Sequence, residues 1–187
     1  SILSMITPIY NKIDLTLLGL LRNNIIVGLY SVSYTLITGL ILIPTNLFIS
    51  LIPTLTREGK KSKERLSFLY TKALEYMTLI FLPIVAINII LGNEIILFIF
   101  GPKYINSVLS FKILSVSVLF TAFFYANRSL LFSIREDKSL VKLITFGLIL
   151  NVILNLILIP LFSLEGAASA TLITEFLLMC ISFKMVY

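Results

Sequence analysis

From Ile25 to Thr56 the chain carries no charged residue, and this stretch excludes most folds open to a polypeptide. A helix needs about 20 mostly apolar residues to cross a hydrocarbon core of roughly 30 Å, and an uncharged run this long has no polar face to offer water. Two further runs, Tyr76 to Asn93 and Leu143 to Leu164, are equally free of charge. Hydrophobic residues fill 58% of the 187 positions and charged ones only 13%, with a mean hydropathy of +1.05, values a soluble domain with a polar surface does not reach. The fold class that follows is an all-α integral membrane protein.

Apolar blocks and their polar interruptions predict a bundle of about six transmembrane helices: Ser1 to Leu21, Ile26 to Thr56, Leu66 to Leu91, Ile105 to Ile134, Ser139 to Ile159 and Gly166 to Tyr187. If each crosses once, the connection Arg57 to Arg65, the connection Arg135 to Lys142 and the end with Lys184 share one side and hold nine Lys or Arg. The opposite side holds two, Arg22 and Lys103. Basic loops stay in the cytoplasm, so both ends of the segment are predicted to be cytosolic. Ser1 leads directly into an apolar run with no basic leader, so no cleaved signal peptide is expected. The absence of an initiator Met and the abrupt end at Tyr187 predict an excerpt of a longer chain. Pro8, Pro44, Pro53 and Pro83 each remove a backbone donor within a predicted helix, which bends it for packing or provides a hinge. Small residues from Gly166 to Ala170 would let another helix approach closely.

Besides Lys142 and Lys184 near span ends on the basic side, seven charges are placed inside the membrane: Lys12, Asp14, Lys72, Glu75, Lys112, Arg128 and Glu175. Each is costly against lipid, so bundle interior, partner or water is the default location. Lys72 lies about 10 Å in from Arg65, and Lys112 a similar distance from its helix end, so both could snorkel to an interface. Lys72 and Glu75 are three apart on one face, and an intrahelical ion pair would account for them. Lys12 and Asp14 are two apart, point to different sides and need separate partners. Arg128, between Asn127 and Ser129 in an aromatic and aliphatic helix, cannot shed its charge. It either binds an anionic group or bridges to Asp14 or Glu175. The sites expected are thus cavity charges for a substrate at Lys12, Asp14, Arg128 and Glu175, with Lys72, Glu75 and Lys112 as weaker candidates.

Catalysis has little to work with. Histidine is absent and Cys180 stands alone, so the commonest neutral-pH base and any soft-metal cluster are missing. Neither a Gly-rich phosphate loop nor an acidic magnesium cluster is visible. Neither enzyme activity, a cofactor nor a metal is expected. The basic run Lys60 to Arg65 reads as a topology signal beside anionic lipid rather than a nucleic-acid patch.

Three opening segments carry a resemblance: Lys12-Ile13-Asp14-Leu15-Thr16-Leu17-Leu18-Gly19, Val27-Gly28-Leu29-Tyr30-Ser31-Val32-Ser33-Tyr34 and Ile52-Pro53-Thr54-Leu55-Thr56-Arg57. Phe100-Gly101-Pro102-Lys103-Tyr104 follows, then Asn151-Val152-Ile153-Leu154-Asn155 leading to Leu158-Ile159-Pro160-Leu161-Phe162, and Glu165 to Thr171. In this order they resemble the C-terminal lobe of polysaccharide biosynthesis (Wzx-type) flippases, of the multidrug, oligosaccharidyl-lipid and polysaccharide exporter superfamily. The resemblance implies that residues 1–187 form one of two lobes enclosing a cationic cavity, with an N-terminal lobe outside this sequence. It implies a substrate, a sugar repeat unit on a polyprenyl diphosphate, moved across a bacterial cytoplasmic membrane by alternating access. Membrane lipids and polysaccharide assembly proteins would be its partners.

Three other readings compete. A lipid II flippase or cation-coupled drug extruder of the same superfamily would differ in cavity charge, and four basic against three acidic intramembrane residues lean toward an anionic substrate. A membrane-embedded sugar or prenyl transferase would need an acidic pair or aspartate-rich loop. A scaffold subunit would tolerate loss of Lys12 and Arg128.

Overall fold

The computed structural model describes the backbone of residues 2–134 and 136–186, and the side chains of 12–134, 136 and 138–186. Arg135, Ser1 and Tyr187 lie outside the described residues, and Pro8 outside the described side chains. Helix α1 runs over Ile2–Leu21, α2 over Asn24–Gly59, α3 over Lys63–Ile90 and α4 over Gly92–Phe100. A 3₁₀ turn at Pro102–Ser107 leads into α5, Val108–Ser133, and α6 covers Asp137–Val186. The protein is an all-α, multi-pass membrane protein. Four helical stretches among the described residues are long and apolar enough to cross a bilayer: Asn24–Gly59, Lys63–Ile90, Pro102–Ser133 and Lys138–Val186.

The last of these is a hairpin. Ser163 has φ 56° and ψ −126°, outside the helical region, and the chain doubles back there. Asn155 and Thr171 would sit about 24 Å apart on a straight helix, yet both bond the same carboxylate, that of Asp14. A Cβ on Gly147 would lie 2.8 Å from the Leu178 side chain, and one on Gly166 would collide with the Leu158 carbonyl, so glycine is what lets the two arms, 137–162 and 164–186, close on each other. The expected fifth and sixth helices are these arms, parted at the expected place.

Local chemistry sets the other boundaries. Asn23 caps α2 by accepting from the Ile26 amide at 3.1 Å, and Ser62 caps α3 by accepting from that of Arg65 at 3.3 Å. Gly101, at φ 85°, ends α4 in a conformation that side chains resist. The segment Gly92 to Tyr104, expected as an outer loop, is therefore mostly helical, a nine-residue helix and then a 3₁₀ turn. Helices α2 and α3 run unbroken through Pro44, Pro53 and Pro83.

Helix α5 is the centre, packing on α2, α3 and α6. Phe111, Leu114, Val118, Ala122, Ala126 and Leu131 are nearly inaccessible. Its serines and threonines bond backward along the helix, as Ser115 does to the Phe111 carbonyl at 2.8 Å and Thr121 to that of Ser117 at 2.9 Å, so small side chains admit neighbours without stranding hydroxyls. The outer surface is apolar: Phe98 is 91% exposed, and Leu79 and Ile90 72% each, a face suited to hydrocarbon.

Polar bonds pin the two ends. At one, Ser33 donates to the Ser107 carbonyl at 2.8 Å, and the Arg22 guanidinium reaches the Ile159 and Pro160 carbonyls at 3.0 and 2.6 Å, acceptors the break at Ser163 deprives of helical partners. At the other, Tyr70 donates to Asn127 and Asn127 to Ser182 at 2.8 Å, joining the start of α3 to the ends of α5 and α6. The basic α2–α3 and α5–α6 connections therefore share this second end with Lys184, opposite Arg22 and Lys103.

Candidate functional site

An aspartate on the apolar first helix must find donors or go uncharged, and here it finds three. Asp14 is 6% exposed. Its Oδ2 accepts from the Tyr30 hydroxyl at 2.9 Å and from Thr171 at 2.5 Å, and its Oδ1 from the Asn155 amide at 2.8 Å. Asn155 also donates to Asn151 at 2.9 Å. One carboxylate thus joins α1, α2 and both arms of α6 through neutral donors.

Asp14 forms one wall of a cavity enclosing about 110 Å³ between α1, α2, α5 and α6, room for several waters. On α2 it is lined by Tyr30, Tyr34, Thr38 and Ile41, on α5 by Ser117, Thr121, Tyr125 and Arg128. Each set recurs every three or four residues over eleven positions, the spacing of one helix face, so the cavity runs roughly 16 Å along the bundle. Asn151, Thr171 and Glu175 close it from α6. Glu175 is 6% exposed. Arg128 is half-buried with its guanidinium carbon 5.6 Å from the centre of the Tyr125 ring, a cation–π contact. Two carboxylates, one guanidinium and a row of hydroxyls can bind a polar, hydrogen-bonding solute and can hold charge of either sign.

Of the residues expected at a site, Asp14, Arg128 and Glu175 meet in this cavity. Lys12 lies exposed on α1 and does not line it. Lys72 and Glu75 form an intrahelical pair, Nζ to Oε2 2.6 Å, and do not line the cavity. Lys112, half-buried, lays its stem against Gly92 at the start of α4. The hydroxyl and amide partners Tyr30, Asn151, Asn155 and Thr171 were not expected at the site, although Tyr30 with Tyr34, and Asn151 with Asn155, are four apart in apolar runs, a spacing that places each pair on one face.

A family model described as a polysaccharide biosynthesis protein matches residues 2–109, which include Asp14, Tyr30 and Tyr34. Two uncharacterised membrane proteins of Methanocaldococcus jannaschii are similar to the chain. One is 29% identical over 119 residues, covering 64% of this chain and 24% of the relative. The other is 31% identical over 149 residues, covering 79% and 34%. A protein named as the probable flippase AglR of Haloferax volcanii is 25% identical over 169 residues, covering 88% and 35%. The chain thus spans about a quarter to a third of the length of these relatives. No solved structure matches.

Proposed function

Because the chain belongs to the polysaccharide biosynthesis protein family, we propose that it forms one lobe of a flippase for oligosaccharide repeat units carried on a polyprenyl diphosphate. The observation that carries this reading is the lengthwise cavity, which sets Asp14, Arg128 and Glu175 among hydroxyls inside an apolar bundle. A sugar crossing the hydrocarbon needs such hydrogen-bonding groups along its path, and the row from Ser117 to Tyr125 with Thr38 and Tyr34 supplies them. The Arg128 guanidinium stabilises the diphosphate by charge-assisted hydrogen bonds, and the prenyl tail stays in lipid.

A second lobe, from the remainder of the longer protein, faces this one, and Lys12 on the exposed side of α1 is available to the space between them. Rocking of the lobes gives alternating access, with Pro44, Pro53 and Pro83 as bending points and Asp14 or Glu175 carrying a coupling ion. The end with the basic connections lies in the cytosol. The protein works as a transporter in the cytoplasmic membrane and catalyses no covalent step. Two buried carboxylates beside one guanidinium also favour a second reading, a cation-coupled extruder of the same superfamily.

Mass spectrometry of lipids co-purifying with the full-length protein separates the two. A sugar-bearing polyprenyl diphosphate, at least tenfold depleted in Arg128→Ala, is the expected result. Bulk phospholipid alone in both samples overturns the flippase reading and leaves the extruder.

A further inference from the structure

Away from the cavity, α2 and α3 do not close on each other along their whole length. Ser50 and Thr54 lie four apart on α2 and face Ala73 on α3, three small side chains at one level. The groove they leave holds about 420 Å³, walled by Leu47, Leu51, Leu55, Leu69 and Met77. The Ser50 hydroxyl donates to the Leu47 carbonyl at 2.7 Å, and apart from Thr54, Lys72 and Tyr76 the rest of the lining is apolar. From Leu69 to Met77 the groove runs about 12 Å, close to one leaflet of a core roughly 30 Å thick.

One end of this groove opens toward the basic connection between α2 and α3. Glu58 is the hub there: its Oε1 lies 3.1 Å from Arg57 Nε and 3.2 Å from Lys61 Nζ, and its Oε2 3.2 Å from Arg65 Nε. The Glu58 side chain is 7% exposed while those of the three cations are 59–71% exposed, so the carboxylate is enclosed and the positive groups face outward. Glu64, the other acid, accepts from the Ser62 hydroxyl at 2.5 Å. Lys60 and Lys63 complete five cations against two carboxylates between Arg57 and Arg65. Within the groove, Lys72 is offset by Glu75 at 2.6 Å, so the positive surplus sits at the mouth.

An apolar slot one leaflet long beneath a cluster of surplus cations has the charge and length of a single amphiphile. We propose that the α2–α3 groove binds an anionic phospholipid of the leaflet on the basic side, with an acyl chain between Leu51 and Met77 and the phosphate held by Lys60 and Lys63, the two cations that Glu58 does not engage. The site lies further along α2 than Tyr30 and Tyr34, toward the basic end, shares no lining residue with the central cavity and does not depend on what that cavity carries.

Native mass spectrometry of the full-length protein, titrated with phosphatidylglycerol or phosphatidylcholine of identical acyl chains, tests this. Wild type should retain phosphatidylglycerol at least fivefold more tightly, and Lys60→Ala with Lys63→Ala, two exposed positions outside the Glu58 hub, should remove most of that preference. Ala73→Phe, which fills the slot, should displace both lipids while the charge variant still binds phosphatidylcholine. Equal retention of the two lipids by wild type overturns the proposal. So does a preference that survives both changes, or a polyprenyl phosphate that displaces phosphatidylglycerol from wild type. If Ala73→Phe does not fold, the exposed lysine pair decides alone.

Discussion

Removing the Asp14 carboxylate would strand the donors of Tyr30, Asn155 and Thr171 in a closed interior, at about 1–3 kcal/mol for each one left unpaired. Asp14→Ala is therefore expected to destabilise the protein by several kcal/mol and Asp14→Asn by less, since the amide keeps one accepting oxygen. Thermal unfolding in detergent should rank wild type above Asp14→Asn above Asp14→Ala. Equal midpoints would mean that these bonds contribute nothing. Arg128 differs, because it is half-buried and faces the cavity: Arg128→Ala should leave the unfolding midpoint within a few degrees and reduce transport at least tenfold, as measured by delivery of sugar to the outer leaflet. Arg128→Lys should recover only part of it, since a point charge replaces a planar fork. Asp14, Arg128 and Glu175 were legible in the sequence because charge inside an apolar run is conspicuous. Tyr30, Asn151, Asn155 and Thr171 were not, because only the rotation of each helix about its axis decides whether such side chains face lipid or a carboxylate. Lys12 shows the same limit, two positions from Asp14 yet on the exposed face.

Among the elements, the hairpin of α6 invites the clearest tests. Ser163 holds φ 56° with ψ −126°, a conformation that costs a residue with a Cβ on the order of 1–3 kcal/mol and glycine far less. Ser163→Gly should accordingly raise the unfolding midpoint. Gly166→Ala should lower it sharply or prevent folding, because the new methyl meets the Leu158 carbonyl. Arg22→Ala should sit between, leaving two carbonyls at the turn without their guanidinium. The hairpin's existence was legible in the break from Phe162 to Glu165 between two apolar runs. Helix α4 was not, because its apolar stretch Ile95 to Phe100 is too short to distinguish a buried helical turn from a hydrophobic loop, and the Gly101-Pro102 pair that ends it reads equally well as either.

For the molecule as a whole, the distribution of charge predicts a direction. With cysteines placed singly on a Cys180→Ser background, positions 61 and 138 should react with an impermeant maleimide only from the cytosol, and position 103 only from outside. The reverse pattern would invert the proposed orientation. Both ends of the bundle are held by polar bonds between elements far apart in sequence, Tyr70 to Asn127 to Ser182 at one and Arg22 to the α6 turn at the other.

The Asp14 clasp also bears on how the protein is made. Its partners Asn155 and Thr171 follow 141 and 157 residues later in the chain, which at about 5–20 residues per second means a wait of roughly 7–30 s during synthesis. Throughout that interval the Asp14 carboxylate of α1 has, of these three donors, only Tyr30 to meet it. The clasp is complete only once the α6 hairpin has folded back, so a chain released before Thr171 should leave this carboxylate short of one of its three donors.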